Sequence, residues 1–485
     1  MSHPDHPDSP KPMPLGWALL PIIFLIASLS GAVTLFGSDA SYGANQIALI
    51  LAGCLTLLVG IVRGASYKDL QQGLIEGIHV GLGPIMILLA VGMLIGTWIL
   101  SGTVPAMIYY GVAIIDPEYF YATSAIICAV VAISIGSSWT VAGTLGVGLM
   151  GIAGSFDLSP AITAGAIISG AYFGDKLSPL SDTTNLASAV TGVDLFLHIR
   201  HMLWTTIPAF VLACVVFFFL GSQQAGQPAD IAQLQQALDQ QFSIGPHLLI
   251  PLIVMLVLIV KRMPAYPAIV ISALVGGLFA AVFQGEAAIA MAQSGSSGLL
   301  GRLEGIWSVL FNGFQSSSGD PFLDKLLSKG GMSSMLNTIW LIVCALSFGG
   351  ILERTGILDT LISVALRGVK GVTSLVTATV ATCFATNVLA ADQFIAIALP
   401  GKMFKQAYHD QGLDELNLSR TLEDAGTLTS VLIPWNTCGA YMTATLGVAS
   451  FSYAPFALFN ILCPLIAIVL AANRIGQMPY RAESR

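Results

Sequence analysis

GDKLSPLSDTTN (residues 174–185) stands between two apolar stretches, near 160–176 and 183–191. Pro179 removes a backbone donor and clashes with the turn before it, so a helix entering this segment breaks there. Ser178, Ser181, Asp182, Thr183, Thr184 and Asn185 carry oxygens that can satisfy the freed backbone groups. Ser181 or Asp182 also suits the cap of a second half-helix. Broken backbone between apolar helices is tolerated inside a membrane where it is buried in protein or lines a cavity. The segment therefore points to an integral membrane protein with a polar centre.

The chain around it agrees. Of 485 residues, 55% are hydrophobic and 9% charged, against about 25% charged in soluble domains. Mean hydropathy is +0.81. Apolar stretches of about 20 residues, enough to cross a ~30 Å hydrocarbon core, recur from 15–36 to 453–473. A soluble enzyme is excluded, as is an outer-membrane barrel, whose strands would alternate apolar and polar residues. The seven cysteines are scattered singly, net charge is −7, and no basic tract suggests nucleic acid. The fold class expected is an all-α polytopic membrane protein with about 11–13 transmembrane helices, some broken or re-entrant. Residues 1–14 read as a disordered cytoplasmic tail. Arg63, Lys68, Arg200, Lys261, Arg262 and the tail arginines fall on one side, while 37–43 and 222–243 hold no Lys or Arg. The positive-inside rule then puts the N-terminus in the cytoplasm of an inner-membrane protein.

A weak internal repeat divides the chain into halves, 15–243 and 244–485. LIEGI (74–78) matches RLEGI (302–306), and ILSGT (99–103) matches ILERT (351–355). GSS (136–138) faces ATN (385–387), and Asp175 faces Asp424. A polar insertion at about 312–335 explains the change of offset. Each half holds a hairpin and a broken helix, at 136–191 and 385–450. Such repeats often have inverted topology, with substrate sites between them near the midplane. Residues 64–79 and 298–311 look like amphipathic interfacial helices.

Charged residues inside spans are costly and default to functional candidates. Here they are Asp175, Lys176, Asp182, Glu353, Arg354, Asp392, Arg420, Glu423 and Asp424. IPWNTCG (433–439) is the second break, where Asn436 or Thr437 can cap a half-helix. Ser137–Ser138 and Thr386–Asn387 read as hairpin tips. So many hydroxyl, amide and carboxylate oxygens beside unwound carbonyls suit a dehydrated hard cation such as Na+. One carboxylate can hold H+ or a cation but hardly both, and that competition alone gives exchange. The glycines of GVGLMG (146–151) and Gly92/Gly96 read as close helix contacts, His198 and His201 as interfacial, and Asp320, Asp324, Lys325 and Lys329 as a solvated loop.

The motifs AITAGAIISGAYFGDKLSPLSDTTNLA (161–187), GSSWTVAGTLG (136–146), LSFGGILE (346–353) and LIPWNTCG (432–439) resemble the NhaC-type sodium/proton antiporters of the ion transporter superfamily. That resemblance implies two inverted repeats, re-entrant hairpins and a transport domain moving against a scaffold in a homodimer. It makes Ser137, Ser138, Asp182, Thr183, Asn387, Asn436 and Thr437 ion-site candidates, with Na+ at Asp182, Thr183, Asn387 and Asn436.

The expected activity is secondary antiport, not enzymatic catalysis: Na+, or Li+, leaves in exchange for H+ without a cofactor. Asp175 and Asp182 lead as competing carboxylates, followed by Asp424 and Glu353. Ser181, Thr184, Asn185 and Thr386 add neutral oxygens. An alternative is Na+- or H+-coupled exchange of a small organic anion such as malate or lactate, with half-helix N-termini holding the carboxylate. No arginine stands inside either break to grip one.

Overall fold

The computed structural model describes residues 13–36, 40, 42–223 and 231–480, so most of the expected N-terminal tail lies outside the described residues. Helices α1 (Leu15–Phe36), α2 (Ala44–Val62), α3 (Tyr67–Val80), α4 (Leu82–Leu100), α5 (Thr103–Ile114) and α6 (Phe120–Ile135) open the first half. The hairpin returns as α7 (Ser138–Val141), a π-turn (Ala142–Gly146) and α8 (Val147–Ser155). Then come α9 (Pro160–Leu177), α10 (Asp182–Thr191) and α11 (Leu195–Gln223). The second half begins with α12 (Ile231–Gln241), α13 (Ile250–Val260), α14 (Ala265–Phe283), α15 (Gly285–Ala290), α16 (Gly298–Asn312) and α17 (Pro321–Leu327). It continues through α18 (Leu336–Arg354), α19 (Ile357–Arg367), α20 (Val372–Leu389), α21 (Gln393–Asp410) and α22 (Glu415–Leu422). A second π-turn (Glu423–Thr427) leads to α23 (Leu428–Ser430), α24 (Thr437–Leu446), α25 (Ser450–Tyr453) and α26 (Leu458–Ala472).

Among the described residues there is no strand, only an isolated bridge between Leu413 and Pro479. Eight helical spans are long and apolar enough to cross a membrane, or ten if two bent pairs are each one span. This is a multi-pass membrane protein. Shorter helices such as α10 and α24, of 10 residues each, are the broken pieces that the sequence sets apart from full crossings.

Caps recur through both halves in one register. Left-handed Gly102 precedes α5 and left-handed Gly356 precedes α19. Left-handed Gly136 and Ala391 mark the hairpin tips, and left-handed Gly192 and Gly447 end α10 and α24. The N-caps Ser137, Ser159 and Ser181 answer to Asp392, Asp414 and Asn436, each 255 residues on. This register corrects two sequence pairings. The counterpart of Gly136–Ser137 is Ala391–Asp392, while Thr386–Asn387 lie inside α20, before the tip. Asp175 then answers to Ser430 and Asp424 to Ser169. Short matches of similar polar residues tolerate a slip of six residues because nothing in such a pairing fixes the register; cap geometry does.

The long helices are exchanged between halves. α4 packs on α14 and α16, whereas α18 packs on α2 and α3. Small residues permit both contacts. A Cβ on Gly350 would stand 2.2 Å from the Gly73 carbonyl oxygen of α3, and one on Gly96 2.8 Å from the Val309 carbonyl oxygen of α16. The polar insertion is anchored here too, since Gly331 N–H donates to the Gly92 carbonyl at 2.6 Å. The sequence reading of this segment as a solvated loop thus holds only for its outer part.

Candidate functional site

α9 starts on Ser159, whose hydroxyl accepts from Ile162 N–H, with Pro160 preset for the first turn. It ends at Ser178, before Pro179. The chain restarts at Ser181, whose hydroxyl caps α10 at Thr184 N–H and lies 3.1 Å from that of Thr183. Thr184 Oγ1 donates back to the Lys176 carbonyl (3.1 Å), and Asn185 Nδ2 to those of Pro179 (3.0 Å) and Ser181 (2.7 Å). The break is thus tied by its own side chains. The first hairpin tip abuts it: a Cβ on Gly136 would meet Leu180 C at 2.7 Å. Ser137 caps α7, and Ser138 N–H donates to Asp175 Oδ2 at 3.0 Å. The buried Asp175 carboxylate therefore joins hairpin to break.

The second break is built on amides. Asn436 Oδ1 caps α24 through Cys438 N–H (3.0 Å), and its Nδ2 donates to the backbone and side-chain oxygens of Asn387, both at 3.1 Å. Asn387 Nδ2 reaches the Gly426 carbonyl (2.7 Å) and Thr429 Oγ1 (3.0 Å). Gly426 lies in the π-turn, where the wider spacing releases carbonyls from the helical ladder, a feature frequent at functional sites. Thr437 N–H donates to the Ala391 carbonyl at the second tip (2.9 Å). The hairpin of one half meets the break of the other where Trp139 stacks on Tyr441 at 4.1 Å, with Tyr441 Oη donating to the Trp139 carbonyl.

Between the breaks lies a charged cluster with no solvent exposure. The Lys176 ammonium donates to Asp424 Oδ1 and lies 3.2 Å from Cys463 Sγ. Thr205 Oγ1 (2.8 Å) and Cys463 Sγ (3.2 Å) donate to the same carboxylate oxygen. Arg420 Nε stands 4.0 Å from Asp424 Oδ2, and its Nη1 donates to the Gly476 carbonyl. Both oxygens of Glu423 lack a hydrogen-bond partner among the described residues, as does Oδ2 of Asp392.

The structure gathers Ser137, Ser138, Asp175, Ser181, Thr183 and Thr184 at the first break, and Asn387, Asn436 and Thr437 at the second. Thr386 Oγ1 turns back to the Thr382 carbonyl (2.9 Å). Asp182 and Asn185 are exposed at the edge of the first break, and Glu353 is exposed at the end of α18, next to the Arg354–Asp69 ion pair. His198 and His201 are buried inside the protein: α11 packs against α10 and α22, and neither ring has a hydrogen-bond partner among the described residues. Lys176, Arg420 and Glu423 stand among the charged candidates of the sequence but outside its ion-binding set, and Cys463 stands in neither. Three of these carried a signal, charge inside a span; Cys463 looked like any packing residue.

A profile of the Na+/H+ antiporter family matches residues 170–473. The chain is 40% identical over 433 residues to the Na+/H+ antiporter NhaC of Alkalihalophilus pseudofirmus, covering 89% of this chain and 90% of that one. It is 38% identical over 428 residues to a malate-2H+/Na+-lactate antiporter of Bacillus subtilis, covering 87% and 88%. Among solved structures, the YdaH transporter of Alcanivorax borkumensis aligns over 94% of this chain and 98% of its own, at 12% identity and a TM-score of 0.36.

Proposed function

The chain belongs to the Na+/H+ antiporter family, and from that premise we propose that it exchanges cytoplasmic Na+, or Li+, for external H+ by alternating access. The observation that carries this reading is Asp175, a buried carboxylate held by the Ser138 N–H of a hairpin tip and facing a helix break. A proton and a cation compete for such a group. Neutral oxygens of Ser137, Ser181 and Thr183 surround the first break, and the Asn387–Asn436 pair supplies the second. Asp182, exposed at the rim, is the outer carboxylate that meets the cation first. The protein works in the cytoplasmic membrane with its N-terminus inside, as a homodimer of chains built from two inverted repeats. The test is a pH-sensitive dye in everted vesicles: addition of Na+ or Li+ dequenches it, and K+ or malate does not.

A second reading has one specific observation in its favour. Arg420 is wholly buried, with Nε and Nη2 lacking hydrogen-bond partners among the described residues. A guanidinium so placed can grip a carboxylate in two-pronged fashion, as an exchanger of a small organic anion requires. Uptake of labelled malate or lactate, driven by a Na+ or H+ gradient, would favour this reading.

A further inference from the structure

Building on the cation-exchange reading, we propose that Glu423 and Asp175 form the carboxylate pair that holds the transported monovalent cation, while Lys176 keeps Asp424 out of the exchange. Two dipeptides meet across the first break, Asp175–Lys176 of α9 and Glu423–Asp424 of the π-turn. The Lys176–Asp424 ion pair fixes their register. Asp424 Oδ1 is saturated by that ammonium, the Thr205 hydroxyl and the Cys463 thiol. Its Oδ2 has no hydrogen-bond partner among the described residues but stands 4.0 Å from Arg420 Nε, so a further cation there would meet two positive charges, the Lys176 ammonium and the Arg420 guanidinium.

Glu423 is the opposite case. It is as deeply buried as Asp424, yet neither carboxylate oxygen has a hydrogen-bond partner among the described residues, and neither does Thr427 Oγ1 one turn on. The hydroxyls of Thr427 and Thr183 approach it without completing a hydrogen bond, and the charges of Lys176 and Asp175 act on it. The Lys176 ammonium itself is directed at Asp424 and Cys463. A buried carboxylate without partners is tolerated only when a proton or a bound cation neutralises it. The groups converging on Glu423 are carboxylate and hydroxyl oxygens, the donors a hard monovalent cation prefers.

The charges agree. Apart from Asp392, which caps α21 at the second hairpin tip, three buried carboxylates, Asp175, Glu423 and Asp424, stand with two buried cations, Lys176 and Arg420. One negative charge is left over, which one Na+ or one proton cancels. The other titratable groups facing the cluster lie around its edge. His198 is beside Lys176, His201 and Tyr408 are beside Arg420, and Asp182 is the outer neighbour of Asp175.

The experiment uses purified full-length protein. It measures the rise in melting temperature on replacing choline by Na+, and Na+-driven H+ movement in proteoliposomes between pH 6 and 9. The Na+ concentration for half-maximal effect should climb in wild-type protein as pH falls. Glu423→Gln should lose the Na+-induced melting shift and at least tenfold of the transport rate. Glu423→Asp, which keeps the charge should Gln prevent folding, should raise the half-maximal Na+ concentration at least tenfold. Wild-type Na+ dependence in either folded variant overturns the assignment of Glu423 alone. Absence of any Na+-dependent H+ movement in wild-type protein overturns the exchange reading with it.

Discussion

Lys176 and Asp424, 248 residues apart, form an ion pair in which neither side chain reaches solvent. Removing one partner leaves a buried charge uncompensated, which typically costs about 3–5 kcal/mol, whereas replacing both with apolar residues is often neutral. Lys176→Met should therefore lower the melting temperature sharply, and Lys176→Met with Asp424→Leu should recover most of the loss. A double variant no more stable than the single one would show that the pair does not act as a unit.

Asp175→Asn keeps an acceptor for Ser138 N–H but removes the charge. Na+-driven H+ movement in proteoliposomes should fall by more than tenfold while the protein still elutes as a folded species. Retention of the full rate would refute the role given to Asp175.

Asp182 occupies the exposed rim of the same break. Asp182→Asn should raise the Na+ concentration needed for half-maximal exchange several-fold and leave the maximal rate near that of wild type. A collapse of the maximal rate would instead place Asp182 in the inner site.

Gly350 meets Gly73 and Gly77 where α18 lies on α3. Overpacking of a close contact costs about 1–3 kcal/mol. Gly350→Val should lower thermal stability by that order, and Gly371→Val, with open space at its Cβ position, should be the milder change. Equal melting temperatures for the two variants would contradict the close-contact account.

Outside the spans, Asp324 is held below the ordinary carboxylate value of 3.8 by Ser318 N–H and by the hydroxyls of Ser316 and Ser318. A lowered value means the ionised form favours the ordered loop. That order is complete above the ordinary value and is lost as pH falls below it, through the folded one. Protection from hydrogen exchange at residues 314–329, taken relative to the intrinsic rate at each pH, should be lower at pH 3 than at pH 5, and Asp324→Asn should be poorly protected at both. Protection indifferent to pH and to the substitution would show that other contacts hold the loop.

The sequence made some of these features plain and hid others. Pro179, Pro434 and the capping residues Ser181 and Asn436 act locally, so both breaks were readable without tertiary contacts. Ser138 and Asp175 each stand out in the sequence, but their hydrogen bond joins two helices and no spacing rule reports it. The second hairpin tip was misplaced because Thr386–Asn387 is a more conspicuous polar pair than Ala391–Asp392. Its left-handed residue is an alanine, which composition does not flag. Glu423 was overshadowed by Asp424 beside it. Only side-chain direction separates the carboxylate that meets Lys176 from the one that meets no donor. His198 and His201 looked interfacial because their neighbour Arg200 marks a membrane end, while the packing that buries them comes from α22.

The crossed packing of α4 and α18 has a consequence for biogenesis. The partners of α4 begin at Ala265, about 165 residues after α4 ends at Leu100. At roughly 5–20 residues per second of synthesis, α4 waits about ten to thirty seconds in the bilayer with its Gly92 and Gly96 face against lipid. Insertion of the first half is thus an unfinished state that the ribosome must complete.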